Sequence, residues 1–106
     1  MRRFASLRRR ADFNRLRQRG RRIATPNLTF FRGDAVPADP LPLVGIAVSK
    51  AVGTAVVRNR LRRRLAAIVQ DSLDGRGCLR LLIVARPAAA ATSFAGLRSE
   101  VERALR

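Results

Sequence analysis

A chain of 106 residues, 47% of them apolar, suffices for one domain with one modest core. Its 23 basic residues against seven acidic ones leave +16 at neutral pH, and all the basic residues except Lys50 are arginine. Such an excess repels itself in a compact state unless a polyanion neutralises it, which points to nucleic acid, whose phosphates release condensed counterions on binding.

An acidic membrane surface is the weaker partner, because Trp and Tyr are absent as interfacial anchors. No segment approaches the ~20 apolar residues of a bilayer span. Histidine is also absent, which removes the usual general base near pH 7. The one cysteine, Cys78, makes neither an internal disulfide nor a multi-cysteine zinc site and reads as small core filler. No apolar stretch of signal-peptide length follows Met1-Arg2-Arg3-Phe4, so a cytoplasmic protein is expected.

In chain order, residues 1–9 are basic and sparsely apolar and read as a loose arm of a single nucleic-acid-binding domain spanning residues 1–106. A helix is predicted over Arg10–Arg19, with Phe13 and Leu16 on one face and Gly20 closing it in a left-handed conformation. Leu28–Phe31 reads as a strand with Leu28 and Phe30 on one side and Thr29 and Phe31 on the other. Gly33–Pro42, with three prolines and two aspartates, is a predicted loop. A second strand, Leu43–Ser49, sets Val44, Ile46 and Val48 on a bulky core side and Gly45, Ala47 and Ser49 on a shallow open side.

The longest helix is predicted over Thr54–Leu73. Steps of 100° gather Val57, Leu61, Leu65, Ile68 and Val69 in one apolar arc, with Asn59, Arg60, Arg63 and Gln70 opposite and Arg62 and Arg64 flanking. Arg58 lies at the edge of the arc, where a long side chain still reaches outward. Asp74-Gly75-Arg76-Gly77 turns the chain into an apolar strand, Leu79–Ala85, interrupted only by Arg80 and stopped by Pro87. A last helix begins at Thr92 or Ser93, either able to cap it, and repeats Phe94, Leu97, Val101 and Leu105 at helical spacing. The order helix, strands, helix, strand, helix predicts an α+β sandwich with helices on a mostly antiparallel sheet.

The seven acids form no evident metal cage, and the glycines make no phosphate-loop pattern. The distinctive run is Val48–Leu65: a strand, a turn at Gly53, and a helix with five arginines in seven positions. That many like charges in two turns destabilise an isolated helix through i,i+3 and i,i+4 repulsion, but they suit a phosphate backbone. Asn59 adds an uncharged donor and acceptor able to reach a 2′-hydroxyl or a base edge.

Lys50-x-Val-Gly-x-Ala-Val-x-Arg-Asn-Arg-x-Arg-Arg64 resembles the arginine–asparagine–arginine signature of the bacterial ribonuclease P protein component. The resemblance extends to Leu7-x(4)-Asp12-Phe13 with Gly20, to Val44-Gly-Ile-Ala-Val-Ser-Lys50 and to Ile83-Val-Ala-Arg-Pro87. It implies a two-layer α+β sandwich of order αβββαβα, as in a domain of a small-subunit ribosomal protein. The mixed, mostly antiparallel sheet would carry a left-handed βαβ crossover, where general topology favours a right-handed one. It also implies a non-catalytic subunit of the endoribonuclease that matures tRNA 5′ ends. A catalytic RNA, bound one to one, would hold Mg2+ and hydrolyse precursor tRNA, while the protein binds that RNA and the 5′ leader.

Carried over by position, Lys50, Arg58, Asn59, Arg60, Arg62, Arg63 and Arg64 fall on the RNA-facing signature. Phe31, with Arg17, Thr29 and Ser49, falls on the leader cleft. Phe13 is better placed in the core, by its spacing from Leu16. Arg17 stands where an aromatic is frequent, Ala51 where a second lysine is frequent, and Ala66 where another basic residue is common. A small basic ribosomal protein without enzymatic role fits the same composition, and the signature helix after Ser49-Lys50 separates the two. A helix-turn-helix DNA binder fits less well, because a strand rather than a partner helix precedes the basic helix.

Overall fold

The computed structural model describes residues 2–73 and 79–106; the predicted turn over 74–77 and the packing of Cys78 lie outside them. The elements are β1 (Ala5–Ser6), α1 (Arg10–Arg19), β2 (Arg21–Ala24), β3 (Leu28–Asp34), β4 (Leu43–Val48), α2 (Ala55–Ser72), β5 (Leu79–Ala85) and α3 (Phe94–Leu105). One mixed sheet runs β1-β4-β5-β3-β2. β2–β3 and β3–β5 pair antiparallel, whereas β1–β4 and β4–β5 pair parallel. The parallel neighbours β4 and β5 are joined through α2, the crossover unit of the expected α+β fold.

Period-two alternation sorts the sheet into two faces. Leu28, Phe30, Val44, Val48, Leu81 and Ile83 point to the main core, closed by α2 and α3. Leu82, Phe31 and Val84 point the other way, toward α1. α2 is held by the residues its apolar arc supplies, Leu61, Leu65, Ile68 and Val69, each worth ~1.5–3 kcal/mol of burial. Its first turn is capped by Thr54, whose hydroxyl accepts from the Val57 N–H. Ser93 caps α3 by accepting from Gly96 N–H.

Several expectations are corrected by tertiary contacts. Residues 1–9 do not form a loose arm: Phe4 and Leu7 are buried, and Ala5–Ser6 pairs with Leu43 and Val44. The backbone of Ala5 and Leu7 donates to Pro42 and Val44 carbonyls, so the β4 edge recruits a segment with no strand pattern of its own. Gly20 takes φ −70° and ψ 157°, extended rather than left-handed, because the chain passes straight into β2. What Gly20 supplies is room, since a Cβ there would lie 2.5 Å from the Leu16 carbonyl oxygen. Gly33 and Asp34 belong to β3, carried by their pairing with Arg80 and Leu79. Phe94 is exposed, with the Arg98 guanidinium 5.4 Å from its ring centroid.

The small side of β4 is also less open than its sequence implies. Phe13 packs there with Leu7 and Leu16, and a Cβ on Gly45 would lie 3.0 Å from two Phe13 ring carbons. Gly45→Val is therefore expected to push Phe13 off the sheet and lower stability by about 1–3 kcal/mol, read as a drop in the denaturant midpoint at unchanged m-value.

Candidate nucleic-acid interface

α2 presents its charged side to solvent because its apolar arc must face the sheet. Asn59, Arg60 and Arg63 are exposed, whereas Arg58, Arg62 and Arg64 are half-buried. Among the described residues Arg60, Arg63 and Arg64 have no hydrogen-bond or ion-pair partner. Arg58 is packed so that its Nε is buried with no hydrogen-bond partner. Arg62 differs. Its Nη1 donates to Asn59 Oδ1 at 2.8 Å and its Nη2 to the Val48 carbonyl at 3.4 Å, pinning the helix to the end of β4. Two members of the signature are thus engaged with each other, which fixes the Asn59 amide, while Arg60 and Arg63 remain exposed.

Lys50 and Ser49 are both exposed at the junction between β4 and α2. Ser49 precedes a 3-10 turn, Lys50–Val52, without a side-chain capping bond. Gly53 follows with φ 158° and ψ −163°, and a Cβ there would crowd Val57 at 3.0 Å. The signature therefore begins from a turn closed down against its own helix.

Phe31 is half-buried on the α1 side of the sheet, and the Arg17 guanidinium lies 5.9 Å from its ring centroid, within cation–π range. Thr29 shares that face but is buried, and its Oγ1 accepts from Arg86 Nε at 3.3 Å and Nη2 at 3.1 Å. Thr29 is thus withdrawn from the surface as a candidate contact, and Arg86 takes its place. Sequence reasoning missed Arg86, though its position directly after an apolar strand and before Pro87 marks it as a charge forced to a strand end.

Two polar clusters fix the framework around these surfaces. Arg80, the lone charge in β5, forks onto Asp39 (Nε–Oδ2 2.9 Å, Nη2–Oδ1 3.0 Å) and reaches Asp12 of α1 at 2.9 Å. The Arg80 hydrogen bonds hold the Asp39 carboxyl below the usual carboxylate range against the opposing effect of burial. This clamp ties α1 and the loop after β3 to the sheet. Glu100 of α3 is buried and accepts from the Thr25 hydroxyl, the Asn27 backbone N–H at 2.8 Å and the Asn27 side-chain amide at 2.7 Å. Burial alone would raise the Glu100 pKa; the hydrogen bonds from Thr25, from the Asn27 side chain and from the Asn27 and Leu28 backbone together outweigh it and hold the group below its ordinary value. Asp71 pairs with Arg98 on the surface.

Among the described residues no three of His, Cys, Asp and Glu converge as metal ligands. Asp12 and Asp39 are both taken by Arg80. The donor set of the described residues does not fit a bound divalent cation. No helix of the described residues is long and apolar enough to cross a membrane.

The sequence matches the family described as Ribonuclease P over residues 1–106. It is 43% identical over 100 residues to the Ribonuclease P protein component of Acidothermus cellulolyticus, covering 93% of this chain and 83% of that relative. It is 38% identical over 107 residues to the protein of the same description from Thermobifida fusca, covering 94% and 73%. The fold is similar to that of the Staphylococcus aureus RNase P protein, with a TM-score of 0.83 at 23% identity over 94% of this chain and 91% of that one. It is also similar to the Thermotoga maritima RNase P protein, with a TM-score of 0.79 at 20% identity over 93% and 95%.

Proposed function

Since the chain belongs to the ribonuclease P protein family, and is thereby a subunit of the ribonucleoprotein that processes tRNA 5′ ends, we propose that it acts by holding RNA and leaves hydrolysis to its RNA partner. The single observation that carries this division of labour is the outward arginine face of α2, where Arg60, Arg63 and Arg64 have no partner among the described residues. Unneutralised guanidiniums on a rigid helix are matched by phosphates at the helix's own spacing. Arg58, Asn59, Arg62 and Lys50 extend that face: Arg58 with a buried, unengaged donor, Asn59 with its amide fixed by Arg62, and Lys50 exposed at the start of the signature.

In this reading the 5′ leader of precursor tRNA lies on the α1 side of the sheet. There Phe31 offers a stacking surface, Arg17 a cation beside it, Arg86 a guanidinium over Thr29, and Ser49 a hydroxyl at the strand end. Mg2+ is held by the RNA, since the described carboxylates gather in no group of three and Asp12, Asp39 and Asp71 are paired with arginine. One protein binds one catalytic RNA, in the cytoplasm.

Reconstitution tests the reading directly. Precursor tRNA is expected to be cut at its mature 5′ end by protein plus the catalytic RNA and Mg2+, and left intact by protein and Mg2+ alone. Efficient cleavage by the RNA-free protein would overturn it.

A further inference from the structure

The hexapeptide at the heart of the α2 signature has a near copy in α1. Asn59–Arg64 reads Asn-Arg-Leu-Arg-Arg-Arg and Asn14–Arg19 reads Asn-Arg-Leu-Arg-Gln-Arg, so five of six positions agree. Both segments are helical throughout. In both the leucine is the buried anchor, Leu16 at 5% and Leu61 at 3% exposure. A shared anchor fixes the rotation of each helix, so the polar residues around it leave the surface in corresponding directions.

The two anchors enter different clusters. Leu61 belongs to the main core beneath α2 and α3, whereas Leu16 packs with Leu7 and Leu82 on the opposite face of the sheet. The two arrays are therefore carried by opposite sides of the sheet. Within α1 the array divides again. Arg17 leans over Phe31 on one flank, while Asn14, Arg15, Gln18 and Arg19 share an open outer face of the helix.

The charge on this second array is uncompensated. Residues 8–22 hold eight arginines and one acid, and all eight arginines are exposed. The acid, Asp12, is spent on Arg80. Asp34 lies nearby, in a pocket it shares with Arg15 and Arg19, but forms no ion pair with either. Arg15 and Arg19 stand four apart and repel each other along the helix. The residues between the cations favour RNA over a lipid surface. Asn14 and Gln18 offer amides suited to phosphate oxygens and 2′-hydroxyls, and Ala11 beside them is too small to enter a bilayer interface.

We propose that the outer flank of α1, built on Asn14, Arg15, Gln18 and Arg19, is a second face for the backbone of a folded RNA, so that one copy of the chain bridges two RNA segments. The proposal rests on the RNA-holding function above for the identity of the polyanion.

The test titrates the full-length chain against its cognate ribonuclease P RNA across a salt series. Arg15→Gln/Arg19→Gln is expected to lower the slope of log K against log salt by about 1.4–1.8, as two lost phosphate contacts require, and to add to the effect of Arg60→Ala/Arg63→Ala when combined. Arg15→Lys/Arg19→Lys, which keeps the charges, is expected to retain the wild-type slope. An unchanged slope in the Gln variant, or a combined variant no weaker than the α2 variant alone, overturns the second face while leaving the proposed function standing. Equal losses in the Gln and Lys variants assign the effect to folding and overturn it too. If instead the Gln variant loses only binding to phosphatidylglycerol-containing vesicles, the face belongs to lipid and the proposal fails. A normal slope in the Arg60→Ala/Arg63→Ala variant is the separate result that removes the proposed function itself.

Discussion

An Arg60→Ala/Arg63→Ala variant is expected to bind the catalytic RNA on the order of a hundredfold more weakly, with its fold intact. Both side chains are exposed and neither has a partner among the described residues, so their removal is expected to uncover no buried donor and to break no internal bond. The loss falls on the complex alone. A hydrogen bond to a charged group contributes ~1.5–3 kcal/mol, so two at the lower end amount to about 3 kcal/mol, or roughly two decades in Kd. The salt slope should fall by ~1.4–1.8 at the same time, because each phosphate neutralised releases ~0.7–0.9 of a counterion. A filter-binding or fluorescence titration at several salt concentrations separates this outcome from a general loss of structure, which circular dichroism would reveal. Weakened binding at an unaltered slope would mean that the two arginines act on something other than phosphates.

The second large effect concerns stability and lies far from the RNA face. Glu100→Ala is expected to destabilise the protein by about 3 kcal/mol, because the Thr25 hydroxyl and both Asn27 donors lose their acceptor within a buried site. For a domain of this size that corresponds to a fall in Tm of roughly 10–20 °C. Glu100→Gln keeps the shape but turns an amide N–H toward groups that are themselves donors, so it should fall between the two. The sign of the pH dependence follows from the depressed pKa of Glu100. A carboxylate held below its unfolded value contributes stability that is present above about pH 4.3, the ordinary glutamate value, and is lost as pH falls through the folded-state value. The stability gap between wild type and Glu100→Gln should therefore narrow in acid. A gap that stays constant from pH 7 down to pH 3 would show that the carboxylate charge is not what the site uses.

The sequence carried most of the regular structure because those elements are determined locally. Ser93 as a cap, the apolar arc from Leu61 to Val69, and the apolar run Leu79–Ala85 each announce themselves within a few residues. What was not legible is whatever depends on a distant partner. Phe4 and Leu7 look sparse in a basic segment, and become core only because β4 offers an edge to Ala5 and Ser6. Arg80 stands out as one charge in an apolar strand, but its acids lie 41 and 68 residues away in sequence. Period two set Thr29 correctly beside Phe31, yet nothing local foretells that Arg86 closes over its hydroxyl. The α2 signature was readable as a charged surface because its positions are fixed by one helix. The cleft was readable only in part, because it is assembled from α1, β3 and the end of β5.

Both rims of the sheet end in a form that resists further growth. On one side β1 is two residues long and covers only Leu43 and Val44, and farther along β4 the Val48 carbonyl is already taken by the Arg62 guanidinium. On the other side β2 is four residues long and begins with the exposed pair Arg21-Arg22. Short border strands are poor templates for a neighbour's backbone, and cations on them make them poorer still. Newly made copies thus meet one another through a border too short to pair on one side and an arginine-bearing, repelling one on the other, which guards the protein against self-templated association.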